Sequence, residues 1–308
     1  MSKKKKPETE APSKPAAQAK PKGPKQPISV RLRSFFKEKY AFFVTEPFAS
    51  LKNTEYKDAW WNGEHPFYRL IFASLVTICF LAIPTLSFDY GITWDEYEDI
   101  GYFNEVLAYF TSFGADKRCL DVEGTLQGHE VKTALIPHLV NYGPLVNLTC
   151  AFLYKYVSPF GLYETRHFVV ALFACIGLMF TGLLARRAGN WQTAVFAFIF
   201  ILLTPTIFGH GMNNQKDIPF MAFYVGSLYY ILKFLEEMPN PTRSTWVKLA
   251  ICMGLLMSIR VGGLIVFAYL LLFSGVLFLA NVYNKKHAFD FASIKTYIFK
   301  LIKPLGLG

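Results

Sequence analysis

Residues 67–88 read FYRLIFASLVTICFLAIPTLSF, an apolar run with no charge after Arg69. At ~1.5 Å per residue, a helix of this length crosses a hydrocarbon core of ~30 Å. The run therefore reads as a membrane span. Comparable runs recur at residues 168–185, 191–208, 218–235 and 264–282, with a shorter one from Trp246 to near Ile259. Length alone makes that about six spans. Across 308 residues, 53% hydrophobic and 17% aromatic content exceeds what an ordinary soluble domain carries. The expected fold is an all-α polytopic membrane protein, with a transmembrane helix bundle over residues 67–283 and a large first outer loop over about 89–166 that carries surface helices.

The formal net charge of +10 raises nucleic acid as a partner, but much of the basic excess sits in the N-terminal tail and in connectors between apolar runs, with no platform for stacking bases. No nucleic-acid partner is expected; the charge reads as a membrane-orientation signal. Residues 1–27, rich in Lys, Pro and Ala without apolar periodicity, are expected to form a disordered basic cytoplasmic tail. Residues 28–66 mix Phe, Leu and Val with Arg and Lys at roughly helical spacing, the pattern of an amphipathic segment lying among lipid headgroups. Trp60 and Trp61 mark its membrane boundary. The five cysteines, Cys79, Cys119, Cys150, Cys175 and Cys252, show no CxxC spacing and say little about redox compartment.

Connector charges give an independent test of the topology. With the tail inside, ARRAGN (185–190), KFLEEMPNPTRSTWVK (233–248) and the basic segment 284–308 are inside too, and each clusters Lys or Arg. The outer loop 89–166, the connector FGHGMNNQKDIPF (208–220) and Arg260 then share the extracytoplasmic side.

Each of these three elements carries chemistry. The outer loop opens DYGITWDEYEDIGYF (89–103), where the adjacent carboxylates of Asp95 and Glu96 repel, so that one holds its proton or both face a cation. An acidic first turn of a helix is the plainer explanation. Later in the loop, PHLVNYGPLVNLTCAFLYKYV (137–157) is broken by Pro137 and Gly143-Pro144 and suits a helix on the membrane surface. In the connector, Asp217 and Pro219 fit a helix start, but His210, Asn213, Asn214 and Lys216 arriving together at a membrane edge point to function. In GLLMSIRVGGLIVF (254–267), Arg260 either snorkels to the interface or clamps an anion, since guanidinium matches phosphate oxygens bidentately.

The order of an N-terminal span, TWDE directly after it, a proline-punctuated surface helix, FGHGMNNQKDIPF and SIRVGG resembles the GT-C glycosyltransferases over residues 67–282. More narrowly it is similar to the family 39 type, which includes protein O-mannosyltransferases, the lipid A aminoarabinose transferase and bacterial relatives. The resemblance implies a multi-pass enzyme of a bacterial inner (plasma) membrane. Its donor would be a polyprenyl-phosphate sugar, and its acceptor a hydroxyl of a glycan, lipid or protein. Asp95 would be the general base, supported by Glu96; Asp217 would position substrate or a metal. Lys216 and Arg260 would stabilise the departing phosphate, with His210, Asn214 and Asn141 as substrate contacts. No cofactor is certain; a divalent metal stays open, with Asp95, Asp217 and His210 as its candidates. The chain departs from the family in two ways. Its VNYGPL (140–145) puts Asn141 where relatives carry a charged residue, and its span count is about half of theirs, so an N-terminal fragment is expected. The alternative from another class is a lipid-carrier translocase or transporter subunit, passing an anionic headgroup along the same edge charges.

Overall fold

The computed structural model describes residues 28–120 and 142–284, with residues 294–295 and 298–299. The expected tail 1–27, Asn141 and most of the segment 284–308 lie outside the described residues. Helix α1 (Ile28–Tyr40) continues through a π-helical turn, Ala41–Thr45, into α2 (Glu46–Ser50); α3 (Lys57–Trp61) leads to α4 (Pro66–Leu86). Then come α5 (Trp94–Thr111), α6 (Leu145–Tyr156), α7 (Leu162–Ala188), α8 (Trp191–Leu202) and α9 (Pro205–Asn213). The last three are α10 (Asp217–Glu236), α11 (Arg243–Met257) and α12 (Ile265–Tyr283). Among the described residues the architecture is all-helical.

Local chemistry sets where these helices begin. His65 Nδ1 accepts from the Phe67 amide at 3.1 Å and Pro66 opens α4, where its missing N–H leaves no bond unmade. Asn190 caps α8 by accepting from the Thr193 amide at 2.8 Å, and Thr242 caps α11 at Thr245. Pro205 opens α9 in the same way as Pro66 opens α4.

Four helical stretches are long and apolar enough to cross a membrane: Pro66–Asp89, Leu162–Ala188, Asp217–Glu236 and Val261–Tyr283. Helices α8 and α9 form a fifth if taken together, but they bend by 70°. The expected run at 191–208 is thus broken where Pro205 cannot donate to the ladder. The run expected from Trp246 is the 15-residue α11, which at ~22 Å is shorter than the hydrocarbon core. Exposed Leu81, Phe200, Leu203 and Leu271 leave the outside of the bundle apolar, as a lipid-facing surface requires.

Helix α7 occupies the middle. One face joins Val169 to a core of Phe103, Val146, Phe223, Trp246, Leu256 and Val266 from α5, α6, α10, α11 and α12. The other packs Ala171, Cys175 and Leu178 against Phe72, Cys79, Ile83, Ala194 and Phe198 from α4 and α8. Where lipid surrounds a helix bundle, the hydrophobic effect no longer draws helices together, and close approach of small residues takes its place. Gly182 shows how close: a Cβ there would meet the Phe72 ring at 2.2 Å and the Ala194 carbonyl at 3.3 Å. We expect Gly182→Val to destabilise the bundle by about 1–3 kcal/mol through overpacking. Thermal unfolding of the purified protein in detergent, compared with the exposed control Leu81→Val, checks this.

Candidate functional site

The start of α5 is held by a capping box. The Glu96 carboxylate accepts from the Thr93 amide at 2.9 Å and from the Thr93 hydroxyl at 3.1 Å. Its other oxygen lies 2.8 Å from His167 Nε2 on α7, and both side chains are buried. On its other side His167 Nδ1 lies 3.2 Å from the Ser87 carbonyl. A carbonyl can only accept, so a hydrogen bond there is one that Nδ1 donates. Glu96 is therefore a buried tie between α5, α7 and the end of α4, and it does not line the cleft described below.

One turn further along α5, Asp99 is buried beside Arg166 and Lys216, each 3.8 Å away. Gln215 bridges the group, donating to Asp99 and accepting from Arg166, while Asn147 Oδ1 of α6 lies 3.4 Å from Arg166. The Arg166 guanidinium also sits 5.4 Å from the centre of the Phe103 ring. A buried guanidinium is tolerated only when charge and hydrogen bonds meet it; these neighbours meet Nη2, while Nε and Nη1 find no hydrogen-bond partner among the described residues. Nearby, burial first, then Cys119 and the Asp99 and Glu105 carboxylates, push the Tyr102 phenol up to about 12, which keeps it neutral.

The connector between α9 and α10 is organised by Asn214. Its Oδ1 accepts from the Lys216 amide at 3.1 Å and the Asp217 amide at 2.8 Å, so it satisfies the first amides of α10. Its amide nitrogen reaches Asp217 Oδ2 at 3.0 Å and lies 3.3 Å from His210 Nδ1. Asp217 is the first residue of α10, exposed, and its other oxygen is 2.7 Å from Arg260. Arg260 and Lys216 both lie over the Tyr142 ring, each 5.1 Å from its centre. A short antiparallel bridge between Tyr142 and Arg260 brings them there, closed by Gly143 N–H to the Ile259 carbonyl at 2.9 Å. Only glycine fits, since a Cβ at Gly143 would meet the Ser258 carbonyl oxygen at 2.1 Å.

These parts enclose a cleft of about 240 Å³ lined by Thr93, Trp94, His210, Asn213, Asn214, Gln215 and Lys216. The structure thus brings together the start of α5, the connector and, through Asp217 and Tyr142, Arg260. Asp95 is the second residue of α5, next to the cleft residue Trp94, and its side chain lies outside the described set. Asn141 lies outside it entirely. Among the described residues no three His, Cys, Asp or Glu side chains converge as metal ligands, and the candidates His210 and Asp217 both contact Asn214. On sequence alone, Asp99, Asn147, Arg166 and His167 carry no assigned role, and Gln215 stands only as one polar residue of the connector. Ionisable groups at the start of an apolar run, as in ETRHF (164–168), were the available signal.

Comparison with known proteins returns no match from family models, curated proteins or solved structures.

Removing one member of a buried charge group leaves the rest unmet. Asp99→Ala should therefore destabilise the protein by about 3–5 kcal/mol, whereas Asp217→Ala, at an exposed pair, should cost under about 1 kcal/mol. Denaturation in detergent of both variants against the parent measures the difference.

Proposed function

We propose that the protein is a GT-C type glycosyltransferase that moves a sugar from a polyprenyl-phosphate donor to an acceptor hydroxyl on the extracytoplasmic membrane face. The supporting observation is that Thr93 and Trp94, directly before Asp95, line one cleft with His210, Asn214 and Lys216. Arg260 stands beside it through Asp217 and Tyr142. In this reading about six membrane passages, with the tail inside, put that cleft at the outer interface, where a prenyl tail stays in lipid while its phosphate and sugar reach polar side chains.

Asp95 takes the proton of the acceptor hydroxyl as its oxygen attacks the anomeric carbon. The bond from that carbon to the phosphate oxygen breaks on the opposite face, the configuration inverts, and polyprenyl phosphate leaves with the electron pair. Lys216 and Arg260 meet the growing phosphate charge. The exposed Asp217–Arg260 pair is weak enough for an anion to displace its carboxylate. Trp94, 77% exposed, offers an indole face for the C–H side of a sugar ring, and His210 and Asn214 offer hydrogen bonds to its hydroxyls. Glu96 acts from beneath, holding the first turn of α5 that carries Asp95.

Asp95→Asn should abolish sugar transfer in proteoliposomes supplied with a panel of polyprenyl-phosphate sugars, while binding of the donor lipid persists. Arg260→Ala should lower the rate about 10²-fold, with binding weakened less. Full transfer by Asp95→Asn overturns the assignment. Lipid movement across the bilayer with no change of covalent linkage favours a translocase instead.

A further inference from the structure

At the end of the bundle away from the cleft lies a helix that the other described residues leave uncovered. No residue of α1 is buried; Ile28 is 75% and Phe36 66% exposed. At about 100° per residue, Ile28, Leu32, Phe35 and Phe36 fall on one face, which Phe42 and Phe43 extend after the helix widens into its π turn. Val30 alone falls among the polar positions. Lys39 shares the apolar face, yet its ammonium lies 5.6 Å from the Phe35 ring centre and 6.0 Å from that of Phe42, so its stem covers the rings while the charge reaches outward. Arg31 borders the face, and Arg33 and Lys37 stand opposite; the single acidic residue of the helix is Glu38.

This arm is tied to the first residues of a span. Glu46 meets Arg69 at 2.9 Å, the Arg69 guanidinium lies 3.5 Å from the Phe42 ring centre, and Phe48 packs on Phe67 at 6.5 Å. Nearby Trp61 is 91% exposed. The opposite end of α4 reaches Ser87, against His167, so the arm and the cleft occupy opposite ends of the bundle. An apolar row of this kind needs a cover. A second copy of α1 would bring four more cations against the first four, which disfavours self-pairing. A layer of lipid phosphates answers both the charge and the apolar face.

We propose that α1 and its π turn form an arm that binds anionic lipid headgroups, inserting the Ile28, Leu32, Phe35 and Phe36 face between them and gripping phosphates through Arg31, Arg33, Lys37 and Lys39. Residues 1–27, with eight Lys against two Glu, add charge of the same sign. The arm selects the leaflet and the lipid patch beneath the bundle, and it does so whatever chemistry the cleft performs. Each basic residue shifts the bound-to-free ratio of the arm about fivefold, an effect that salt screens.

All five native cysteines are buried, so a cysteine placed on α1 takes a fluorophore selectively. The full-length protein labelled at Leu32→Cys is reconstituted in vesicles of phosphatidylcholine with brominated acyl chains, with or without phosphatidylglycerol. We expect quenching to be much stronger with phosphatidylglycerol, to fall as salt is raised, and to fall again in Arg31→Gln/Arg33→Gln/Lys37→Gln. A label at Ser34→Cys, on the polar side, should be quenched less. Equal quenching in both vesicles, or no response to the triple substitution, overturns the proposal in favour of apolar insertion without headgroup selection. Absence of quenching, with the label shielded by dimer formation, overturns it in favour of a second copy as the occupant.

Discussion

A fully buried arginine inside an apolar bundle is the constraint on which the rest of this structure turns. Arg166 has no route to water, so its charge must be met where it stands. Asp99 and Gln215 meet it, and the adjacent His167 meets Glu96. Glu96 and Asp99 are three residues apart and therefore share a face of α5; Arg166 and His167 are neighbours on α7 that point to two partners. Only one docking of α5 on α7 satisfies both pairs. Helix α5, whose five acidic residues set it apart from the candidate spans, is thereby keyed to α7.

That keying shapes the cleft. Gln215, which completes the Arg166 group, precedes Lys216 and follows Asn214 in the chain, so the buried charges fix the connector from below. Asn214 then shapes the connector from within, by accepting from the Lys216 and Asp217 amides and contacting both His210 and Asp217. The Tyr142 bridge draws Arg260 in from the start of the last span. Glu96, Asp99, Gln215 and Asp217 each meet a side chain of another element, which favours a preorganised site over a loose polar loop.

The other end of the bundle is built on different terms. Arg187 pairs with Glu236, Arg186 lies 3.4 Å from Glu64, and the Arg186 guanidinium is 5.3 Å from the Trp191 ring centre. These contacts tie α7, α8 and α10 to the start of α4 with charges at the rim, and α1 extends from the same region. One end therefore holds charge inside and a cleft, while the other displays charge and an uncovered apolar helix face.

Much of this was legible in the chain itself. Apolar length marked the long helices, Pro66 and Pro205 stand at helix starts, and TWDE, FGHGMNNQKDIPF and Arg260 stood out as polar elements at the edges of apolar runs. These are local properties, set by hydropathy over a window or by a single missing N–H. Tertiary structure alone decided that Glu96 is buried against His167, that Asn214 accepts from the Lys216 and Asp217 amides, and that Asp99, Arg166, His167, Asn147 and Gln215 form the support of the cleft. The reason is that the partner of a buried ion depends on the rotation and register of two helices far apart in sequence, and no periodicity within either helix records which residue of the other it will face.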